Sequence, residues 1–247
     1  MPQKSTISRL SEITEDQWGL ITRRQAERTG VSQATLQRLA DHAVLERVAH
    51  GVYHLLGAPV PDHLALRAAW LQLAPGVPVW KRTPEQGLVS HRSAAVLYGL
   101  GHLPADRNEF TLPTRRQSRR PDVRLHQRQI GKWIELHGLL VTRPSQIASD
   151  LLADSEDPAA IGHMIADAIR QVFDYPHEFA EVLAPHAARF GLRRGDGPAL
   201  LRWLLDLVGD PETQLWTEEV QSHIAHTTSD DSAMAHGSAR SSGAAAR

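Results

Sequence analysis

Apolar positions in the first sixty residues change period several times. From Ser5 to Trp18, Ile7, Leu10 and Ile13 recur at helical spacing, and Gly19 ends the pattern. Leu20-Ile21 is a short extended step. Thr22-Arg23-Arg24-Gln25 follows as a capping box, which opens a brief second helix closed by Gly30. Ser32 then caps a third helix. On it Leu36, Leu39 and Ala40 face inward, leaving Gln33, Ala34, Gln37, Arg38 and Asp41 outside. Val44 to Val48 and Val52 to Leu55 alternate as strands around Ala49-His50-Gly51. Helix, tight turn, helix and hairpin together predict a winged helix-turn-helix over residues 5–57.

Beyond it the pattern predicts a mixed α/β domain over residues 58–225, with a small sheet and a helical carboxy-terminal part, so the whole is of the α+β class. Helices are expected from Pro61 to Ala74 and from His91 to Gly99, the second capped by Ser90. Four short strands follow: Phe110 to Pro113, Val123 to His126, Trp133 to Leu136 and Leu139 to Thr142. From Ser145 onward, breaks at Asp157-Pro158, Tyr175-Pro176, Gly191 to Gly197 and Gly209 to Pro211 outline about four helices. Residues 226–247, rich in Ser, Ala, Gly and Thr, carry too little apolar material to order themselves and are expected to form a disordered tail. Trp133, Trp203 and Trp216 read as core or interface anchors.

Composition changes this picture little until charge is divided along the chain. Residues 1–56 carry seven Lys/Arg against six Asp/Glu, residues 57–150 thirteen against seven, and residues 151–247 seven against fifteen. The middle is basic and the end acidic, which points to a polyanion partner for one part and a solvated or protein-facing role for the other. No apolar run is long enough to span a bilayer and no secretion signal opens the chain, so a cytoplasmic protein with no membrane partner is expected. The absence of cysteine excludes disulfides and thiolate metal sites.

In a helix-turn-helix the second helix enters the major groove, and its early residues reach base edges. Gln33 and Gln37 are placed to pair with adenine, and Arg38 to reach guanine or phosphate. Arg23, Arg24 and Ser32, at helix starts, would hold phosphates, while His50 and Gly51 at the wing tip could approach the minor groove or backbone. A second candidate patch is Arg115, Arg116, Arg119, Arg120, Arg124 and Arg128, directed at phosphate or at an acidic protein surface. Aromatic residues are absent from it, which argues against single-strand binding.

Catalytic patterns are missing. None of Lys4, Lys81 and Lys132 has an acidic residue two places before it, and there is no Walker loop or Gly-x-Ser-x-Gly elbow. His50 and His54 have the spacing of helical metal ligands but flank a strand turn. No enzyme, no catalytic residue, no cofactor and no metal are expected.

The order of parts resembles the AbiEi-type antitoxins of abortive-infection type IV toxin–antitoxin systems. The carrying residues are Gly19-Leu20-Ile21-Thr22-Arg23-Arg24-Gln25-Ala26, Leu45-Glu46-Arg47-Val48 and Gly51-Val52-Tyr53, then Leu66-Arg67-Ala68-Ala69-Trp70. Val89-Ser90-His91-Arg92-Ser93-Ala94-Ala95, Leu97 to Leu100, and Gly138 to Pro144 leading to Asp150-Leu151 complete the set. The resemblance implies a winged helix that binds double-stranded DNA repeats at its own promoter and represses its operon. It also implies a second domain that counteracts a nucleotidyltransferase toxin. The chain departs from the family pattern at Val79 to Gly87, which reads as an inserted loop, in a weakly basic third helix, and in an acidic end without a matching motif. A winged-helix regulator with an unrelated effector-binding domain is the alternative.

Overall fold

A computed structural model describes residues 5–226 and divides them into two compact units. Residues up to Tyr98 together with Pro104–Thr142 form the first, and Gly99–Leu103 with the residues from Arg143 onward form the second. The packing therefore does not divide at residue 57, where the sequence placed a domain boundary.

The first unit begins with α1 (Thr6–Thr14), β1 (Leu20–Thr22), α2 (Arg23–Arg28), α3 (Gln33–Asp41), β2 (Leu45–Ala49) and β3 (Val52–Leu55). The first expected helix stops short because its chain tightens into a 3-10 turn, Glu15–Gln17, and leaves it through Trp18 and Gly19, both at positive φ. The strands make an antiparallel sheet of order β1-β3-β2. Leu10, Ile21, Ala26, Val31, Leu36, Leu45 and Tyr53 form its core. This is a winged helix: three helices, a small sheet, and a hairpin turning at His50 and Gly51. Gly51 sits at φ +69°, a conformation that costs glycine little and other residues more.

Leu20 and Val52 share a second apolar cluster with Ala68 and Leu71 of α4 (Leu64–Leu73). That burial is why the winged helix does not end where its own elements do: its sheet uses α4 as a cover. Polar bonds reinforce the join. Gln17 and Gln25, both buried, exchange amide hydrogen bonds of 2.8 and 2.9 Å. Gln17 also donates to the Leu20 carbonyl and accepts from Val79 N, while Gln25 accepts from Thr22 N and donates to the Val77 carbonyl. The capping box thus forms as the sequence predicts, but its glutamine serves a second segment as well. Thr22 Oγ1 and Arg28 complete the join by donating to the carbonyls of Pro75 and Gly76.

Two arginines counted as part of the basic middle are interior. Arg82 donates to the carbonyls of Trp70, Leu71 and Ala74, closing the end of α4, and stacks 4.3 Å from the Trp70 ring. Arg67 lies 4.2 Å over Trp18 and donates to the carbonyls of Asp62 and His137. Burial lowers both pKa values. The segment Val79 to Gly87 carries two 3-10 turns that deliver Arg82 to this position, and the Gly87 carbonyl accepts from Trp70 Nε1 at 2.8 Å.

A five-stranded mixed sheet completes the unit. Its strands are β4 (Leu88–Val89), β5 (Asn108–Leu112), β6 (Val123–Gln127), β7 (Trp133–Leu136) and β8 (Leu139–Thr142), in the order β6-β5-β4-β8-β7. Only β4 escapes sequence periodicity, since two residues are too few to show one. Trp133, expected as an anchor, is 41% exposed because β7 lies at the sheet edge. Helix α5 (His91–Tyr98) starts at the end of β4, and its first turn is built on a buried acid. Glu109 Oε2 accepts from Arg92 N, and Ser93 Oγ links Arg107 O to Glu109 N. His91 adopts φ +52°, meets Ser90 Oγ through Nδ1, and stacks on His126 with ring centroids 3.5 Å apart. Burial opposes ionisation of Glu109, but His126 and the Arg92 N–H outweigh it and hold the carboxyl below its usual range.

The second unit is helical: α6 (Pro144–Ala153), α7 (Pro158–Arg170), α8 (Pro176–Leu183), α9 (Gly197–Leu207) and α10 (residues 213–226). This is one helix more than the four expected. Buried Asp174 ties Arg143 and Ser145 N at the start of α6, each at 2.9 Å. Gly197 lets α9 approach α8 so closely that any side chain there would strike the Ala180 carbonyl. Trp216 is buried, and Trp203 packs on Phe190. Apart from residue 226, the last described residue, the expected tail lies outside the described residues.

Two stability outcomes follow. Gln25→Ala removes both bonds between the two amides, the acceptor of Thr22 N and one of the donors to the Val77 carbonyl, so it should cost about 2–4 kcal/mol in urea unfolding. A loss below about 1 kcal/mol would show that water takes over these bonds. His91, held down to about 3 mainly by burial, with His126 adding to the effect, is neutral in the fold and takes up a proton on unfolding below about 6.5. The unfolded chain then binds more protons, so stability is lost as the pH is lowered through that window, by about 2 kcal/mol from pH 7 to pH 5. His91→Asn, which tolerates the left-handed backbone, should flatten that dependence.

Candidate nucleic-acid interface

The outer face of α3 carries Gln33, Ala34, Gln37, Arg38 and Asp41, all exposed, while Leu36 is buried and Leu39 and Ala40 are partly so. Ser32 caps the helix by accepting from Thr35 N at 3.2 Å. The polar residues of this face are held by neighbours. Arg23 donates to Gln33 Oε1 at 2.9 Å and pairs with Glu27 at 3.3 Å. Gln37 donates to Asp41 at 2.9 Å, and Arg38 Nη2 lies 3.3 Å from Thr35 Oγ1. The start of α2 and the face of α3 are therefore one polar surface, joined through Arg23 and Gln33.

The wing comes back to the same place. Arg23 N donates to the Gly51 carbonyl at 2.8 Å. Arg23, Arg24, His50, Gly51, Gln72 and Pro75 line a pocket of about 230 Å³. His50 Nδ1 lies 3.0 Å from an Arg47 nitrogen, so the wing tip carries a guanidinium beside its imidazole. Gln72, from the last turn of α4, donates to the His50 carbonyl at 2.7 Å. Sequence reasoning passed over Arg47 and Gln72. Arg47 is an outward position of a strand next to the wing turn, so alternation could have found it; Gln72 had no signal, because its role depends on α4 lying beneath the wing.

The arginine patch divides. Arg120 is paired with Asp122, whose carboxyl it holds below the usual range, and it also donates to Gln72 Oε1. Arg116 donates to the Leu73 carbonyl at 2.9 Å. Arg124 faces Glu109 across the β5–β6 register at 3.7 Å. Arg128 is partly buried, with its backbone N bonded to the Leu112 carbonyl. Arg115 and Arg119 are exposed and have no ion pair among the described residues.

A three-helix unit with a hairpin wing, an exposed polar third helix and a guanidinium-bearing wing tip has the architecture of winged-helix nucleic-acid-binding domains. Residues 8–55 match the family described as "Transcriptional regulator, AbiEi antitoxin". No curated protein sequence matches the chain. Among solved structures, the RV2827C protein from Mycobacterium tuberculosis is similar at 16% identity and a TM-score of 0.49, over 86% of this chain and 80% of that one. No helix among the described residues is long and apolar enough to cross a membrane.

Proposed function

We propose that this protein is a DNA-binding antitoxin of a type IV toxin–antitoxin system, which represses its own operon at promoter repeats and counteracts a nucleotidyltransferase-type toxin. The match of residues 8–55 to an antitoxin transcriptional regulator family carries the reading. The continuous polar surface of α2, α3 and the wing supports its DNA-binding half. On this reading Gln33 and Gln37 read base edges, Arg38 reaches guanine or phosphate, and Arg23, Arg24, Ser32, His50 and Gly51 position the backbone. Binding exchanges the bonds that Arg23 makes to Gln33 and Gln37 makes to Asp41 for bonds to DNA. The surface acts by contact rather than by bond-breaking chemistry. The family match ends at residue 55, which keeps a second reading in play: a winged-helix regulator whose remaining residues bind an unrelated effector.

Titration with DNA from upstream of the gene should give tight binding to a repeat and a clear preference over random duplex. Gln33→Ala with Gln37→Ala should shrink that preference by about tenfold or more, since each bidentate base contact discriminates by about 1–3 kcal/mol. Arg23→Ala with Arg24→Ala should weaken binding to all sequences alike and flatten the salt dependence. Wild-type binding in both double variants would remove the groove assignment. Co-expression with the neighbouring gene separates the two readings: relief of growth arrest supports the antitoxin, and a neighbour without toxicity supports the effector-binding regulator.

A further inference from the structure

Parallel strands cannot be joined by a tight turn, so the chain between β5 and β6 must travel back along the sheet. Here that crossover is residues 113–122, without a helix, and it holds four of the six arginines. Its course is fixed by Arg116 on the Leu73 carbonyl and by Arg120 on Gln72 and Asp122. Gln72 is the same side chain that holds the wing turn at the His50 carbonyl. One glutamine therefore joins the crossover to the wing. Anchoring Arg116 and Arg120 leaves Arg115 and Arg119 exposed beside them.

We propose that this crossover is a duplex-backbone clamp, in which Arg115 and Arg119 grip phosphates flanking the site touched by α3 and the wing. The inference rests on the DNA-binding reading above and adds to it a second point of contact. Three observations favour duplex over other partners. The crossover that carries them is bonded to the wing through Gln72, which holds both Arg120 and the His50 carbonyl. The residues between Arg115 and Arg119, Arg116-Gln117-Ser118, offer no ring on which a base could stack, as a single strand would need. The winged helix itself is near neutral, so a backbone grip has to draw cations from elsewhere in the chain.

The test uses the full chain with two duplexes from upstream of the gene, one trimmed to the repeat and one extended by about 15 base pairs on each side. Replacing both Arg115 and Arg119 by alanine should leave affinity for the trimmed duplex unchanged and lower affinity for the extended one by tenfold or more. It should also reduce the slope of log affinity against log salt by about 2, one unit for each phosphate released. Arg115→Lys with Arg119→Lys should retain most of the slope, and hydroxyl-radical protection should disappear only in the flank. Equal affinity and slope for wild type and the alanine variant on the extended duplex would overturn the clamp. Loss of capture of the neighbouring gene's product by a variant with unaltered DNA binding would overturn it in favour of an acidic protein. If wild type shows no preference for the repeat, the promoter reading fails, and the clamp is still judged by the same slope comparison on random duplex.

Discussion

The buried amide pair of Gln17 and Gln25 fixes the geometry on which the rest of the first unit depends. Each glutamine has one oxygen and one nitrogen to satisfy, and burial makes every omission costly. Their mutual bonds use half of that capacity. The other half reaches in two directions, to β1 at Leu20 and Thr22 and to the segment at Val77 and Val79. The start of α2 is thereby locked to the chain that follows α4. Thr22 and Arg28 bond to neighbouring carbonyls of that chain, so α2 cannot tilt without opening several of these bonds together. Apolar packing of Leu20 and Val52 on Ala68 and Leu71 supplies the non-directional part of the join. The amides give it a unique register.

Much of this fold is legible in the sequence where an element is set by local rules. The capping box at Thr22, the cap at Ser32, the inward Leu36 and the alternating wing strands each rest on period or on short-range bonding, and all form. What sequence reasoning lacked was long-range. A boundary at residue 57 is natural when the winged helix is taken as self-sufficient, yet its sheet needs α4 to cover Leu20 and Val52. Arg67 and Arg82 look like surface charge in a count, while the fold uses them as interior caps over Trp18 and Trp70. Nothing in the spacing of an arginine says that three carbonyls at a helix end await it. The same holds for Gln72, whose two bonds join segments distant in sequence.

The candidate interface shows the same division. Gln33, Gln37 and Arg38 could be assigned to an outer face from helical spacing alone, and the structure has them exposed there. That Arg23 bonds to Gln33 could not be foreseen, because it depends on the angle between α2 and α3. In the arginine patch, composition marked six residues as equivalent. The fold separates them into anchors, a cross-strand pair and two exposed side chains, according to what β5, β6 and α4 bring within reach.

These held side chains bear on how such a surface would discriminate. An exposed side chain that must be ordered on binding loses rotamer entropy, about 2 kcal/mol for a long one. Gln33 and Gln37 are already oriented by Arg23 and Asp41, so part of that cost falls on folding instead. The benefit would be offset because, on the proposed reading, those bonds are released when DNA is contacted. A matching base returns an equivalent bond, whereas a mismatched one leaves both the amide and its former partner unsatisfied. Preorganisation of this kind adds little to general affinity and more to the difference between sequences. A near-neutral winged helix is suited to that task, since a strong nonspecific grip would mask the difference. On the proposed DNA-binding reading, general affinity would come from charge placed outside the α3 face, and among the residues joined to the wing the crossover between β5 and β6 carries four arginines.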